Sequence, residues 1–429
     1  MRRDTMPNAF RPGAVELPPD QAALVARRQA ALGPAYRLFY ERPLHLMRGE
    51  GVWLYDAEGK AYLDTYNNVA SCGHCHPKIV AAMADQAAVF ASHTRYLHDG
   101  VLRLAERLLA TLPSEIGHMM FTCTGSEAND LAIRIARAAT GGNGIIVTEN
   151  AYHGVTAAVA EFSPSLGPGV PLGPHVRVVP APMGRDFGAD VQAAIDDLKR
   201  HGIQPAVLIA DTVFSSDGVI VDPTVLAPAV VAIRAAGGLF IADEVQPGFG
   251  RLGHGMWGFT RHGVVPDMVS MGKPMGNGYP LAGLALRPEV IARFGAEARY
   301  FNTFGGNAVA AAVGNAVLDV IEGEGLIENA ARVGATFAAG LRDLASRHAA
   351  LGELRAEGLF LGQDIVTEGA PDAARAGRIV NGLREDGVLI SATGPKGHVL
   401  KIRPPLTFSA ENTAIFLERL DRVLGRITG

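Results

Sequence analysis

The sequence predicts an α/β fold: a parallel sheet covered by helices on both faces, followed by a smaller C-terminal domain. Three observations carry that expectation. Short apolar runs recur between residues 119 and 286 without polar alternation, as strands do when both faces of a parallel sheet are buried. Helical stretches separate them, which is the alternation of α/β chains. From about Ala308 onward helices dominate, and that shift marks the second domain.

The elements follow in order. Residues 1–20 read as a loose arm, and Gln21 to Leu32 as a helix ending at Gly33-Pro34. Val52-Trp53-Leu54-Tyr55 and Ala61-Tyr62-Leu63-Asp64 flank Asp56-Ala57-Glu58-Gly59, a hairpin around a glycine-containing turn. Strands are expected at Met119 to Phe121, Gly144 to Val147, Ala206 to Ala210, Leu239 to Ala242, Met268 to Met271 and Leu281 to Leu286. A helix from Glu127 to Ala139 buries the face formed by Ala128, Leu131, Ala132, Ile135, Ala136 and Ala139. Further strands are expected near Leu359 to Leu361 and at Val399 to Ile402. The chain shows no internal repeat and no low-complexity segment.

Composition narrows the function. A chain of 429 residues can bury a large core and two subdomains. Its 48% hydrophobic and 19% charged content is that of a soluble enzyme. A net charge of −4 gives no basic surface for nucleic acid. No apolar run approaches the roughly 18 residues of a membrane span. The segment from Met1 to Pro19 has no apolar core, so a secretory signal is not expected and a cytoplasmic location is. Three cysteines cannot build a disulfide framework.

The chemistry lies at strand ends. Asp243-Glu244 closes the run Leu239-Phe240-Ile241-Ala242, where open α/β sheets present functional groups. Lys273 follows the next strand, in Gly272-Lys273-Pro274-Met275-Gly276-Asn277-Gly278. Lysines usually lie on solvated faces, and burial lowers proton affinity and makes the amine nucleophilic. A lysine that forms a Schiff base, with an acid that holds a pyridinium nitrogen, describes a pyridoxal phosphate (PLP) site. The plain alternatives are a surface-turn lysine and a turn-capping aspartate.

Thr124-Gly125-Ser126-Glu127-Ala128-Asn129 opens a helix after a strand. Ser126 is suited to cap it and Gly125 to let the backbone approach closely. Free N–H groups at a helix N-terminus bind phosphate. An ordinary capped helix would look the same, but beside Lys273 and Asp243 the phosphate cradle is the better reading. Gln246 is suited to bond the cofactor's phenolic oxygen. Tyr152, in Tyr152-His153-Gly154, is suited to stack on its ring, with core packing as the alternative.

Two other motifs fail. Gly248-Phe249-Gly250-Arg251-Leu252-Gly253 matches a dinucleotide fingerprint, but His254-Gly255-Met256-Trp257-Gly258 cannot open the helix that fingerprint needs. Cys72-Gly73-His74-Cys75-His76 matches a haem-attachment pattern without an export signal. Four ligands within five residues cannot easily close a zinc tetrahedron, so no metal is expected.

These residues resemble the class III aminotransferases, PLP enzymes of fold type I. The likeness is carried by Phe240-Ile241-Ala242-Asp243-Glu244-Val245-Gln246, Gly248-Phe249-Gly250-Arg251, Pro266-Asp267-Met268-Val269 and Gly272-Lys273, and runs from about Leu38 to Leu424. It implies a mostly parallel sheet in a large PLP-binding domain at 56–308. An N-terminal arm and part of the small domain would lie at 1–55, and the rest of a smaller α+β domain at 309–429. It implies that Lys273 carries PLP, that Asp243 pairs with the ring nitrogen, and that Val245 and Tyr152 pack its two faces. Gly125 and Ser126 would hold the phosphate, and His153 and Gln246 would also be cofactor-binding. Thr303 would reach the phosphate of the neighbouring subunit, which implies a homodimer with shared active sites.

Within the family, Tyr66-Asn67-Asn68-Val69-Ala70, Arg95-Tyr96-Leu97-His98-Asp99 and Leu400-Lys401-Ile402-Arg403-Pro404-Pro405-Leu406 resemble the alanine–glyoxylate aminotransferase 2-like branch. That branch includes ethanolamine-phosphate phospho-lyases. Three positions depart from the family: Asp211-Thr212 replaces a usual Glu-Pro, Ser216 stands where ornithine- and GABA-type enzymes have glutamate, and Arg355-Ala356-Glu357-Gly358 replaces Arg-Gly-x-Gly.

The resemblance implies an aminotransferase that moves an amino group from an amino acid or amine to a keto acid such as pyruvate or glyoxylate. Arg403 suits bidentate capture of a carboxylate, with a structural salt bridge as its alternative role. Asn68 and Tyr40 are further candidate substrate-binding residues, and Phe39 and Trp257 are candidate pocket aromatics. The alternative activity is elimination of phosphate from an O-phosphorylated amino alcohol such as ethanolamine phosphate. A catalytically silent PLP-fold scaffold would not need Lys273, Asp243 and Gly125-Ser126 together.

Overall fold

The unalternating apolar runs become the strands of one sheet whose two faces enter two separate cores. In β5 (Gly144–Thr148), Ile146 points into one core while Ile145 and Val147 point into the other. The same split recurs in β7 (Pro205–Asp211) and in β8 (Leu239–Asp243), where Phe240 and Ala242 oppose Ile241. A strand with both faces buried has no polar face to show, which is why the sequence does not alternate.

The computed structural model describes residues 8–428. The other strands are β1 (Leu46–Glu50), β2 (Trp53–Asp56), β3 (Ala61–Asp64), β4 (His118–Thr122), β6 (Val176–Val179), β9 (Met268–Met271), β10 (Ala282–Leu286), β11 (Leu351–Glu357), β12 (Phe360–Thr367), β13 (Ala370–Pro371), β14 (Val388–Leu389), β15 (Ser391–Thr393) and β16 (Val399–Ile402). The helices are α1 (Pro19–Leu32), α2 (Pro77–Val89), α3 (Asp99–Ala110), α4 (Gly125–Thr140), α5 (Ala157–Ala160), α6 (Phe187–Arg200), α7 (Leu226–Ala235), α8 (Pro288–Glu297), α9 (Ala308–Gly323), α10 (Leu326–Arg347), α11 (Ala373–Glu385) and α12 (Ala410–Thr428).

The large sheet runs β4-β10-β9-β8-β7-β5-β6. It is parallel except at β10, which is antiparallel to both neighbours. A second sheet, β11-β12-β16-β15, lies in the C-terminal part. The third, β1-β2-β3-β14, joins the two ends of the chain. The hairpin forms as expected, with Trp53 opposite Leu63, and β3 then pairs in parallel with β14. Residues 56–64 therefore share a sheet with the C-terminal part, and a boundary at 55/56 would cut through a strand.

Two further expectations change. The arm is docked at its described start and mostly exposed over residues 11–20: Asn8 and Ala9 are buried, and the Asn8 carbonyl accepts from the Tyr40 N–H at 2.7 Å. Residues 1–7 lie outside the described residues. Helix α4 starts two residues earlier than expected, because Thr124 caps it. The Thr124 hydroxyl accepts from the Glu127 N–H while the Glu127 carboxylate accepts from the Thr124 N–H, a reciprocal capping box. Among the described residues no helix is long and apolar enough to cross a membrane.

Candidate active site

Parallel pairing brings the ends of β7 and β8 side by side, with Asp211 in register with Asp243 and Asp243 with Ser270 of β9. A cavity of about 330 Å³ opens there. Its walls include Gly125, Ser126, Tyr152, His153, Asp211, Asp243, Val245, Gln246 and Lys273. Eight of these nine come from the sequence-based set of site residues. Asp211, noted in the sequence only as a departure from the family, is the ninth.

Asp243 is held from both sides. Its Oδ2 accepts from His153 Nδ1 at 2.7 Å and from Asn129 Nδ2 at 3.0 Å, and its Oδ1 accepts from the Val245 N–H at 3.1 Å. His153 thus acts on the site through Asp243. Asn129 also donates to the His153 carbonyl at 2.8 Å, locking the pair. The sequence reading missed Asn129, although a signal existed. An asparagine within the apolar face of a helix, next to Ala128, Leu131 and Ala132, must find a partner once buried.

The cradle at α4 is built by close approach. A Cβ on Gly125 would come within 2.9 Å of Val245 Cγ2. At Gly154 the backbone has φ 139°, and a Cβ there would lie 2.4 Å from Ser126 Oγ. With Thr124 doing the capping, Ser126 is released from that role, and its Oγ instead accepts from the Val155 N–H at 3.1 Å. The backbone of Gly125 and Ser126 is left at the mouth of the helix, where N–H groups and the helix dipole attract an anion.

Lys273 has φ 30°, a left-handed conformation that costs a non-glycine residue strain. It begins the short 3₁₀ turn Lys273–Gly276, after Gly272. Burial pushes its ammonium below the usual lysine range. The Arg403 charge adds to this, and Asp243 and Asp211 oppose it. Tyr152 also lines the cavity and is 38% exposed, its hydroxyl pushed up by burial of part of the side chain and by the Asp243 charge.

A second layer stands behind the wall. Asn68 is buried, and its Nδ2 donates to the Gln246 carbonyl at 3.1 Å, fixing the Val245-Gln246 backbone without facing the cavity. Arg403 is buried too. Its Nη1 donates to Gln246 Oε1, its Nε donates to the Tyr66 carbonyl at 3.2 Å, and its guanidinium lies 5.0 Å from the Tyr66 ring centroid. It makes no ion pair among the described residues, so the structural salt bridge is not the role the structure gives it.

Lys401, two residues earlier, is only 6% exposed. Its ammonium finds no hydrogen-bond or ion-pair partner among the described residues, and the Phe360 ring centroid lies 5.7 Å away. The sequence carried its signal as a lysine inside the apolar run Val399-Leu400-Lys401-Ile402.

The other candidates fall outside the cleft. Tyr40 is buried in the core with φ 68°, and its hydroxyl donates to the Ile390 carbonyl at 3.1 Å. It is therefore a packing residue here, because the docked arm covers it. Phe39 packs edge-on against Tyr66, and the buried Trp257 donates to Thr111 Oγ1 at 2.9 Å. Thr303 is exposed and does not line the cavity of its own chain.

Neither rejected motif forms a separate site. Arg251, from the glycine-rich run, is fully buried and donates to the Leu359 carbonyl at 3.1 Å and the Pro404 carbonyl at 2.7 Å, stitching the two parts of the chain together. His74 and His76 engage separate carboxylates, Asp64 at 2.8 Å and Glu324 at 3.1 Å.

Comparison with known proteins points to one family. The family model described as aminotransferase class-III matches residues 39–424. A Drosophila melanogaster protein named alanine–glyoxylate aminotransferase 2-like is 38% identical over 91% of this chain and 84% of its own. A Caenorhabditis elegans protein named ethanolamine-phosphate phospho-lyase homolog 1 is 36% identical over 94% of this chain and 93% of its own. Among solved structures, a phospholyase from Arthrobacter in complex with phosphoethanolamine superposes with a TM-score of 0.91. It is 42% identical, covering 94% of this chain and 99% of that one.

Proposed function

The chain belongs to the class III aminotransferase family, and from that premise we propose that it is a phospho-lyase acting on a small O-phosphorylated amino alcohol such as ethanolamine phosphate. One observation carries the reading. Lys401 and Arg403 are buried two residues apart behind the cleft, and neither pairs with a carboxylate among the described residues. Unpaired buried cations are costly unless a ligand supplies the counter-charge, and a phosphate dianion supplies two. The likeness to the Arthrobacter phospholyase supports the same substrate class.

Pyridoxal phosphate is the cofactor, and the residues present fit it. Asp243 would hold its ring nitrogen, Gly125 and Ser126 its phosphate, Tyr152 and Val245 its ring faces, Gln246 its phenolic oxygen and Lys273 its aldehyde carbon. When bound, it supplies an electron sink that makes the Cα proton of an attached amine acidic. The chain's own residues do the rest. Asp243, braced by His153 and Asn129, keeps its negative charge fixed where the ring nitrogen would lie, and would so keep that nitrogen protonated and able to draw electrons. The Lys273 amine, held below its usual proton affinity by burial, removes the Cα proton. Lys401 and Arg403 hold the phosphate, which leaves with the electron pair of the Cβ–O bond.

The second reading is transamination between an amino acid or amine and a keto acid. Arg403 favours it, since one guanidinium suffices for one carboxylate. That reading leaves Lys401 without a partner. We further take the exposed Thr303 to reach the phosphate site of a second copy in a homodimer, and a cytoplasmic setting to suit the three free cysteines.

The deciding experiment mixes PLP-loaded enzyme with ethanolamine phosphate, without a keto acid, and assays inorganic phosphate alongside the cofactor spectrum. Continuous phosphate release with the absorption band retained supports the lyase. Stoichiometric loss of the band with an amino acid, and no phosphate, establishes transamination instead.

A further inference from the structure

Lys401 lies inside a five-stranded sheet, in register with Gly362 of β12 and Ser391 of β15, neither of which carries charge. The charged groups around it come from three directions. Asp211 ends β7, and Asp217 follows in the next turn. Lys273 approaches from the turn after β9, and Arg403 lies two residues along its own chain. Both acids are already committed. Asp211 accepts from the Val213 N–H at 3.0 Å and the Ser215 N–H at 3.2 Å. Asp217 accepts from Thr148 Oγ1 at 2.6 Å and from the Asn150 N–H at 3.1 Å. Lys401 thus sits among fixed carboxylates, none of which reaches it, and beside two other cations.

We propose that Lys401 reads the second negative charge of the substrate's anionic tail, standing uncharged while the cleft holds no anion and taking up a proton as a dianion enters. This rests on the anionic-substrate reading given above. Burial pushes the Lys401 ammonium well below the usual lysine range, Arg403 and Lys273 push it the same way, and Asp211 and Asp217 oppose them. A monoanion is neutralised by Arg403 alone and leaves Lys401 as it was. A dianion reaching both side chains provides the missing counter-charge, so binding and protonation become linked. Asp211 and Lys273, the charged neighbours of Lys401 that line the cleft, put its ammonium beside the site, and Gln246, which also lines it, accepts from Arg403. The consequence is specificity: phosphate-bearing amines are selected over carboxylate-bearing ones by a proton that only the former recruit.

Calorimetric titration of the PLP-loaded enzyme with sulfate tests this, because sulfate is a dianion that does not itself titrate near neutrality. Two buffers of different ionisation heat at one pH give the protons taken up per site. The wild type is expected to take up about one proton per sulfate and none with formate. Lys401→Arg is expected to bind sulfate with no uptake, its charge being already in place. Lys401→Met is expected to bind sulfate at least about tenfold more weakly and without uptake. Sulfate binding without uptake in the wild type, or uptake of unchanged size in Lys401→Arg, overturns the proposal. If uptake is seen but ethanolamine phosphate yields no inorganic phosphate, the lyase reading falls while Lys401 keeps its role.

Discussion

At the scale of single residues, the site depends on a few atoms with no slack. Gly154 is the sharpest case. Its φ of 139° is open to glycine and almost closed to other residues, and a Cβ there would lie 2.4 Å from Ser126 Oγ and 2.7 Å from Ser126 Cα. Gly154→Ala is therefore expected to displace the start of α4 and weaken cofactor affinity by about tenfold or more while the fold survives. Titrating the apoenzyme with PLP, and following the rise of the bound cofactor's band, measures this. Affinity equal to wild type would show that the cradle lies elsewhere. Lys273→Ala makes a different prediction. Turnover should vanish with the fold intact, since no other lysine lines the cavity. Turnover at the wild-type rate would end the assignment of Lys273.

At the scale of elements, the capping box at Thr124 decides where α4 begins and so where the N–H groups point. Thr124→Ala removes the acceptor for the Glu127 N–H and should cost about 1 kcal/mol of stability. A thermal melt reads the loss, and an unchanged melting temperature would mean that packing alone sets the helix start. This cap also shows what sequence could and could not tell. Ser126 and Thr124 are both good cap residues two positions apart, and only the reciprocal bond with Glu127 chooses between them. The strands of the large sheet were legible because burial on both faces leaves an unbroken apolar signature. The pairing of β3 with β14 was not, because it joins segments more than 300 residues apart through only two residue pairs. The site followed the same divide. Lys273, Asp243 and the cradle announce themselves by residue type at strand ends. Asn129 shows locally only as a polar residue on an apolar helix face, and its partner on β8, like the docking of Tyr40 under the arm, depends on contacts between distant segments.

At the scale of the whole molecule, the acid next to Asp243 links the sheet to the loop that carries Arg251. Glu244 is fully buried. It accepts from Thr212 Oγ1 at 2.7 Å, from the Gly258 N–H at 2.7 Å and from the Phe259 N–H at 2.8 Å, closing the segment between them onto β8. Arg251, inside that segment, anchors the C-terminal part. Burial raises the Glu244 carboxyl from 4.5 to about 7, its three donors opposing the shift. The unfolded chain thus releases this proton near pH 4.5 and the native chain near 7. Between those values the native state binds more protons, so stability from this group falls as pH rises through the window and is flat above it. The total is about 3 kcal/mol, the order of magnitude given by that separation. Asp217, raised to about 6 by burial, contributes in the same direction over a narrower range. Glu244→Gln removes one share and leaves the other. Its stability measured by urea unfolding should decline less steeply than the wild type's between pH 5 and 7, whatever the mutation does to the absolute value. Parallel curves for the two proteins would mean that the Glu244 carboxylate is already ionised at pH 5, with its three donors outweighing its burial.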